Sequence, residues 1–253
     1  MSRNRQAGNR QKGFSLVEML VVVLILGIIS AGLFVQIDGA QQRAFSEQIK
    51  LDNFQEARDF VDQFFRDVNQ IGYPNSRMID TSVVWSPALA SPLINDNRVA
   101  IGLVKIDAKE IRFEGDMNGD GNVQSIIYMV NGSGNCTWCL QRSQVDKVSA
   151  SPLTGQTTPN WGTEVNDVLS NPIFSYFKAD GTQIATTALP VDLGTSGGPQ
   201  ILASIKTIQV SLLIRNNSVL DPKTKQPIET TFQGEVSLNN CSMAASGAPM
   251  SCQ

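Results

Sequence analysis

Histidine is missing from all 253 residues of this chain. Because imidazole is the commonest general base and the commonest metal ligand, its absence excludes Ser-His-Asp and Cys-His catalytic sites and any histidine-ligated zinc. A strong net charge is missing as well, since the formal charge is only −3, and we therefore expect no nucleic-acid partner. The acids and serines are scattered along the chain rather than clustered. The sequence therefore predicts a protein that is not an enzyme.

Charge is also scarce near the N-terminus. The run Met19–Ile37 has no charged residue, and within residues 14–37 the only one is Glu18. Such a run is about long enough to cross a bilayer core as a helix. Residues 1–13 contain no acid but four bases: Arg3, Arg5, Arg10 and Lys12. Basic residues on this side predict that the N-terminus stays in the cytoplasm and that the rest of the chain lies across the membrane.

Two ordinary interpretations of this segment are less satisfactory. A secretory signal peptide also combines a basic start with an apolar run. Here, however, no A-x-A cleavage site closes the run, and a helical pattern continues beyond Ile37. A plain membrane anchor accounts for the length but not for Glu18. A carboxylate inside a span costs about 2.5–3.5 kcal/mol at its centre, and such residues usually have a partner.

The segment around Glu18 reads K-G-F-S-L-V-E-M-L from Lys12 to Leu20 and is followed by the apolar run. This segment resembles the type IV prepilin signature. The resemblance implies that prepilin peptidase removes residues 1–13 by cutting after Gly13 and methylates the new N-terminal residue, Phe14. It also implies that Glu18 is the acid that assists assembly.

The same resemblance implies a location and partners. The chain would be a single-pass protein of the bacterial inner membrane with a periplasmic head, and it would later enter a pilus or pseudopilus. Its partners would be other minor and major pilins, prepilin peptidase and the inner-membrane assembly platform. Our hypothesis for Glu18 is electrostatic. Its carboxylate would pair with the Phe14 amine of an axial neighbour and so set the register, since either charge left unpaired would be costly.

The apolar helix is expected to continue beyond the membrane. Residues 38–72 carry an apolar stripe at spacings of three and four, typical of an amphipathic helix. The stripe consists of Phe45, Ile49, Ala57, Val61, Phe64, Val68 and Ile71. No proline interrupts residues 14–71, whereas Gly72 and Pro74 are expected to end the helix. The sequence therefore predicts one long helix, with a membrane half over residues 14–37.

The remaining residues, 73–253, are expected to form a β-rich periplasmic head. Alternating or apolar segments separated by turn residues predict antiparallel strands. These segments are Val99–Lys105, Glu110–Phe113, Val123–Val130, Cys139–Arg142, Phe174–Lys178, Ile205–Arg215 and Thr230–Leu238. We therefore predict an α+β fold in which the long N-terminal helix packs on an antiparallel β-sheet head, the architecture that pilins have.

Three stretches of the head resemble the minor pilin of the PilW type, and the J-type pseudopilin of type II secretion is a close second. They are residues 110–130, 174–183 and 205–217. The implied function is that of a structural subunit that primes or assembles a type IV pilus. The alternatives are a minor pseudopilin and a filament-tip adhesin. Trp138 and Trp161 could serve an adhesin, although we expect both in the core.

The loop D-M-N-G-D-G-N at residues 116–122 has two interpretations. Four of its residues match ligand positions of a calcium loop: Asp116, Asn118, Asp120 and, through its carbonyl, Asn122. The twelfth position, however, is Ile127 instead of a bidentate glutamate. The other interpretation is a tight β-hairpin built on Asn-Gly and Asp-Gly turns. We favour the hairpin and keep calcium as the one cofactor that the sequence suggests.

Four cysteines fit an oxidising compartment: Cys136, Cys139, Cys241 and Cys252. The first two form a C-T-W-C motif, which could be a redox or metal pair, but the βαβ setting of such motifs is absent. We favour two structural disulfides. Among the three possible connectivities we expect local pairing, Cys136–Cys139 and Cys241–Cys252.

Overall fold

A computed structural model of the chain describes residues 13–74, 86–130, 138–169 and 171–239. Its first element is a single helix, α1, of 54 residues from Leu16 to Asn69. The helix begins two residues after the predicted start at residue 14 and ends three residues before the predicted end at residue 72. The helix ends three residues before Gly72, which adopts a φ of +77°, a left-handed conformation that glycine tolerates without a steric penalty.

The two halves of α1 have different surroundings. The apolar residues of the first half are exposed, and the most apolar 18-residue window has a mean hydropathy of 2.8. Within the second half the buried apolar face comprises Ala57, Phe60, Val61, Phe64 and Val68. The predicted stripe was too long, because Phe45 is 59% exposed. The head covers the helix mainly from Asn53 onward, so the periodic pattern extends beyond the packed surface.

The described part of the head contains nine strands and one short helix, α2, at Gly198–Ser204. The strands are β1 Leu103–Ile106, β2 Glu110–Gly115, β3 Gln124–Val130, β4 Leu140–Asp146, β5 Trp161–Val165, β6 Phe174–Lys178, β7 Val191–Asp192, β8 Ile205–Leu220 and β9 Pro227–Ser237. They form a six-stranded sheet in the order β5-β4-β3-β2-β1-β7 and a three-stranded sheet in the order β6-β8-β9. Every strand pair is antiparallel, as predicted.

Two details of the predicted strands were wrong. The first predicted strand starts at Val99, but β1 begins only at Leu103. Gly102 has a φ of +88° there, which interrupts an extended segment, and Val99 to Ile101 are buried without belonging to a strand. In addition, β5 and β7 were not predicted, because β5 is short and contains glycine and β7 has two residues.

One aromatic cluster joins the helix to both sheets. The Phe64 ring of α1 lies 5.3 Å from the Tyr128 ring of β3 and 5.6 Å from the Phe174 ring of β6, centroid to centroid. Phe60 contacts Tyr128 edge-on at 5.7 Å. Aromatic pairs at such distances add about 0.5–1.5 kcal/mol each beyond the area they bury. The C-terminal part of α1 is therefore held in the same core as both sheets.

Two glycines allow close approach between α1 and the strands. A Cβ atom on Gly115 of β2 would overlap the carbonyl oxygen of Gln70, just after the helix. A Cβ atom on Gly234 of β9 would lie 2.9 Å from the Phe65 ring and 3.0 Å from a methyl of Val61. A larger residue at either position would push the helix away from a sheet.

Candidate functional site

The first candidate site is the start of α1, where the sequence predicts processing and assembly. Gly13 and Phe14 precede the helix in non-helical conformation, and the Phe14 side chain is 82% exposed. Ser15 is the N-cap residue, with the extended angles φ −67° and ψ 144°. The Gly13–Phe14 bond therefore lies outside the helix.

Glu18 lies on the first turn of the helix and points back toward its start. Its Oε2 accepts a hydrogen bond of 2.9 Å from the Ser15 backbone N–H. A carboxylate at this position also interacts favourably with the positive end of the helix dipole. Oε1 accepts no hydrogen bond from any described residue. One carboxylate oxygen thus caps the helix through Ser15, and the other has no donor among the described residues.

The comparisons with known proteins bear on this segment. Residues 8–34 match the prokaryotic N-terminal methylation motif. The segment is therefore type IV prepilin-like, and together with the apolar helix it indicates a membrane-anchored, type IV pilin-like protein. Neither the curated proteins nor the solved structures give a significant match to the chain. The α+β arrangement of a long N-terminal helix on antiparallel sheets agrees with the pilin-like architecture.

A buried polar cluster connects this pilin-like helix to the six-stranded sheet. Asp67 is 3% exposed, and its Oδ2 accepts hydrogen bonds of 2.7 Å from both the Tyr128 hydroxyl and Arg142 Nε. Gln63 donates to Oδ1 at 2.7 Å. Burial is the main cause that raises the pKa of Tyr128 well above its ordinary value, so the hydroxyl keeps its proton and remains a donor. A movement of the helix end would therefore break several buried hydrogen bonds.

A second buried pair holds the segment before β1 against the sheet. Lys147 Nζ donates to Glu114 Oε2 at 2.7 Å and to the carbonyl oxygens of Ile94 and Val99 at 2.8 and 2.7 Å. Glu114 Oε2 also accepts from the Ile101 N–H at 3.1 Å. Burial raises the pKa of Glu114, whereas Lys147 acts in the opposite direction. Every donor of the ammonium group is used within the protein, so this pair is structural.

The predicted calcium loop is the connection between β2 and β3. Asp116 is 3% exposed, and its carboxylate accepts backbone hydrogen bonds from Gly119 at 2.7 Å, Asp120 at 3.2 Å and Gly121 at 2.9 Å. The hairpin is present, but residues 116–123 make it longer than a tight turn. Among described residues no group of three acidic, cysteine or histidine residues could hold a metal ion. Calcium binding through Asp116, Asn118, Asp120 and Asn122 stays a prediction.

The remaining predicted residues divide into two groups. Three cysteines lie outside the described residues: Cys136, Cys241 and Cys252. Cys139 is 2% exposed, and the pairing of the four cysteines stays a prediction.

The expectation that both tryptophans lie in the core was wrong, because Trp138 is 44% exposed and Trp161 is only partly buried. Lys109 Nζ lies 5.4 Å from the Trp138 ring centre.

Sequence reasoning missed three structural roles. It did not assign Ser15 as the N-cap, although Ser-x-x-Glu before an apolar run is the pattern of a capping box. It also missed the partners of Asp67 and of Lys147. No local signal identifies these partners, since Arg142 is 75 residues from Asp67 and Glu114 is 33 residues from Lys147.

Proposed function

We propose that this chain is a minor pilin of the PilW type, a non-catalytic subunit that primes or assembles a type IV pilus. The observation that carries the proposal is the methylation motif over residues 8–34 at the start of an uninterrupted apolar helix. In this proposal prepilin peptidase cuts the Gly13–Phe14 bond and methylates Phe14. The chain's only chemistry is then that of a substrate.

The geometry of the helix start supports an assembly role for Glu18. Its carboxylate has one oxygen bonded to Ser15 and one without a described donor. After cleavage the Phe14 amine would be a positive charge at the same level of the membrane. Pairing this amine with the Glu18 carboxylate of an axial neighbour would satisfy both charges. We infer that the pair fixes the axial position of the subunit more than it adds stability.

The same features also suit a minor pseudopilin of a type II secretion system, and a clean deletion separates the two. Surface pili and secreted proteins are scored in the deletion strain and in the complemented strain. We expect pili to be lost and secretion to be normal. Lost secretion with intact pili would assign the chain to a pseudopilus. A filament-tip adhesin is favoured by one observation, the exposed Trp138, and predicts intact filaments that no longer adhere.

Substitution of Glu18 tests the charge pairing. We expect both Glu18→Ala and Glu18→Gln to be cleaved normally and to enter filaments about a hundredfold less, since an unpaired buried charge costs about 3 kcal/mol or more and each 1.4 kcal/mol is about a factor of ten. Glu18→Gln is the matched control, because its amide oxygen can still accept the Ser15 N–H. Cleavage is read by intact mass and incorporation by immunoblotting of sheared filaments. Wild-type incorporation of Glu18→Gln would show that capping, not charge, is the role of this residue.

A further inference from the structure

Among the described residues, strand β9 has no partner strand along its outer side. It spans 11 residues, Pro227–Ser237, and the one described strand that pairs with it is β8. The other edge strands are much shorter: β5 and β6 have five residues each and β7 has two. A long unpaired edge presents a row of N–H and C=O groups that can pair with another chain.

The register shows which groups of β9 face outward. The backbone N–H of Ser211 in β8 donates to the carbonyl of Ile173, on the β6 side of β8. The backbone N–H of Leu238 donates to the carbonyl of Lys206, on the other side of β8. The backbone N–H and C=O groups of successive residues point to opposite sides of a strand. In β9 those of the even-numbered residues therefore bond to β8, and those of the odd-numbered residues point to the free edge. The outward residues are Glu229, Thr231, Gln233, Glu235 and Ser237. Their backbone groups make no hydrogen bond to any described residue.

The free edge has little of the protection that soluble proteins usually place there. Within β9 the only proline is Pro227, at the first position, and there is no lysine. An aromatic seam instead runs beside the strand, where Phe54 is 46% exposed and its ring centroid lies 5.5 Å from that of Phe232. Phe65 is partly buried against the same surface. An added strand would gain backbone hydrogen bonds and an apolar contact for its alternate side chains.

The direction of β9 restricts the occupant. The turn before β9 contacts α1 through the Lys50–Asp221 ion pair at 3.5 Å, and the chain after it reaches the helix end through Asn239 and Asn69 at 2.7 Å. Strand β9 therefore runs parallel to α1. Two copies anchored in one membrane would hold their β9 strands in the same direction, so antiparallel pairing of two β9 edges is excluded if the proposed function is correct.

Charge indicates the chemistry of the partner. On the outward residues of β9 the only charged side chains are Glu229 and Glu235. Glu229 already pairs with Arg215 of β8 at 2.6 Å, whereas Glu235 has no ion pair with any described residue. Opposite charges stabilise cross-strand pairs and like charges destabilise them. We propose that the β9 edge receives an extended strand from a different subunit anchored in the same membrane. That strand carries apolar residues on the helix side and a basic residue opposite Glu235.

Photo-cross-linking of the full chain in its own cells tests this proposal. Benzoylphenylalanine replaces Gln233 on the edge, and in the control it replaces Gln209 on β8, one strand inward. We expect an adduct only from position 233, mapped by mass spectrometry to an extended segment of another protein that bears an N-terminal methylation motif. Thr231→Pro removes one outward N–H without breaking the β8 ladder and should reduce the adduct about five-fold, the effect of one net hydrogen bond. Thr231→Ala keeps the N–H and should leave the adduct unchanged.

Charge reversal provides a second variant should the proline variant not accumulate. Glu235→Lys should lower the adduct yield about threefold by repelling a basic partner. No adduct, an adduct only with a second copy of this chain, or an adduct insensitive to both Thr231→Pro and Glu235→Lys would overturn the proposal. Cleavage after Gly13 is read in the same cells by intact mass. A cleaved chain without the adduct overturns only this inference, whereas an uncleaved chain overturns the proposed function.

Discussion

At the residue scale, Asp96 organises the loop that precedes β1. Its carboxylate accepts hydrogen bonds from the Ala90 N–H at 2.9 Å, the Arg98 N–H at 2.9 Å and Arg98 Nη2 at 2.7 Å. Hydrogen bonds to a charged group contribute about 1.5–3 kcal/mol each, less where solvent screens them. We predict that Asp96→Ala lowers the free energy of unfolding by about 2 kcal/mol at pH 7, measured by urea denaturation.

The effect of Asp96→Ala should depend on pH. The Arg98 guanidinium holds the pKa of the Asp96 carboxyl well below its ordinary value of 3.8. The folded state therefore binds fewer protons than the unfolded state, and the stabilisation is complete above the unfolded pKa and is lost as pH falls through the folded one. The difference between wild type and Asp96→Ala should shrink below about pH 4. A difference that stayed constant down to pH 2.5 would contradict this explanation.

The pair of Lys147 and Glu114 leads to a different prediction. Removing one partner leaves a buried charge without compensation, which costs about 3–5 kcal/mol. We expect this loss for Lys147→Met, measured as the change in the free energy of unfolding. The double variant Lys147→Met/Glu114→Gln removes the orphaned charge and should recover part of the loss. If the double variant were no more stable than the single one, the lost hydrogen bonds from Lys147 to the two carbonyl groups, and not the orphaned charge, would account for most of the lost stability.

The sequence was most informative at this scale where the chemistry is local. Gly13, Phe14 and Glu18 lie within six residues of one another, so the resemblance to the prepilin signature could be recognised from one short segment, and the motif match covers that segment. Asp67 and Lys147 gave no such signal, because their partners are set by strand register. Burial of a charged residue cannot be inferred until its partner is known, since an unpaired charge would not be buried.

At the element scale, the close contacts of α1 with β2 and β9 depend on two glycines. We predict that Gly115→Ala lowers the free energy of unfolding by about 3 kcal/mol and Gly234→Ala by about 1 kcal/mol, within the range for overpacked cores. The reason for the difference is what each added methyl would meet. At Gly115 it would meet the backbone oxygen of Gln70, which cannot move alone, and at Gly234 the tip of the Phe65 ring.

Paired thermal or urea denaturation of the two alanine variants would measure this difference. Gly162→Ala is a suitable control, because its added Cβ would lie 3.9 Å from the nearest heavy atom, an ordinary contact. We expect the control to change stability little. If Gly115→Ala and Gly234→Ala lost equal free energies of unfolding, the explanation would be wrong. The whole helix would then move as a rigid body to make room for either methyl group.

The strands also show what periodicity can and cannot predict. Ile205–Arg215 was predicted from clean alternation, and β8 contains it because Ile208, Val210, Leu212 and Ile214 are buried on one face. Strand β5 has an irregular burial pattern and β7 only two residues, so neither has an alternation to detect. The division into two sheets was not predicted, because which strands are neighbours depends on contacts between distant segments.

At the scale of the whole molecule, α1 combines an exposed apolar half with a half embedded in the head. The aromatic contacts of Phe64 and the buried hydrogen bonds of Asp67 hold the second half between two sheets. Force or displacement along the helix would therefore reach the head without an intervening flexible joint among the described residues. This coupling suits a subunit whose head must follow its anchor.

The orientation of the anchor is the last prediction. Four bases before the apolar helix, Arg3, Arg5, Arg10 and Lys12, should keep the N-terminus in the cytoplasm, because the basic flank of a span resists translocation. External protease should therefore digest the head in spheroplasts without lysis. Replacing all four bases with Gln should reduce the protease-sensitive fraction. Lys223→Gln/Lys225→Gln is the control, since charges far from the span have little effect on topology.

Full protection of the wild-type head in intact spheroplasts would show that the head lies in the cytoplasm and that the predicted orientation is wrong. A cytoplasmic head would be incompatible with both the pilus and the pseudopilus proposals.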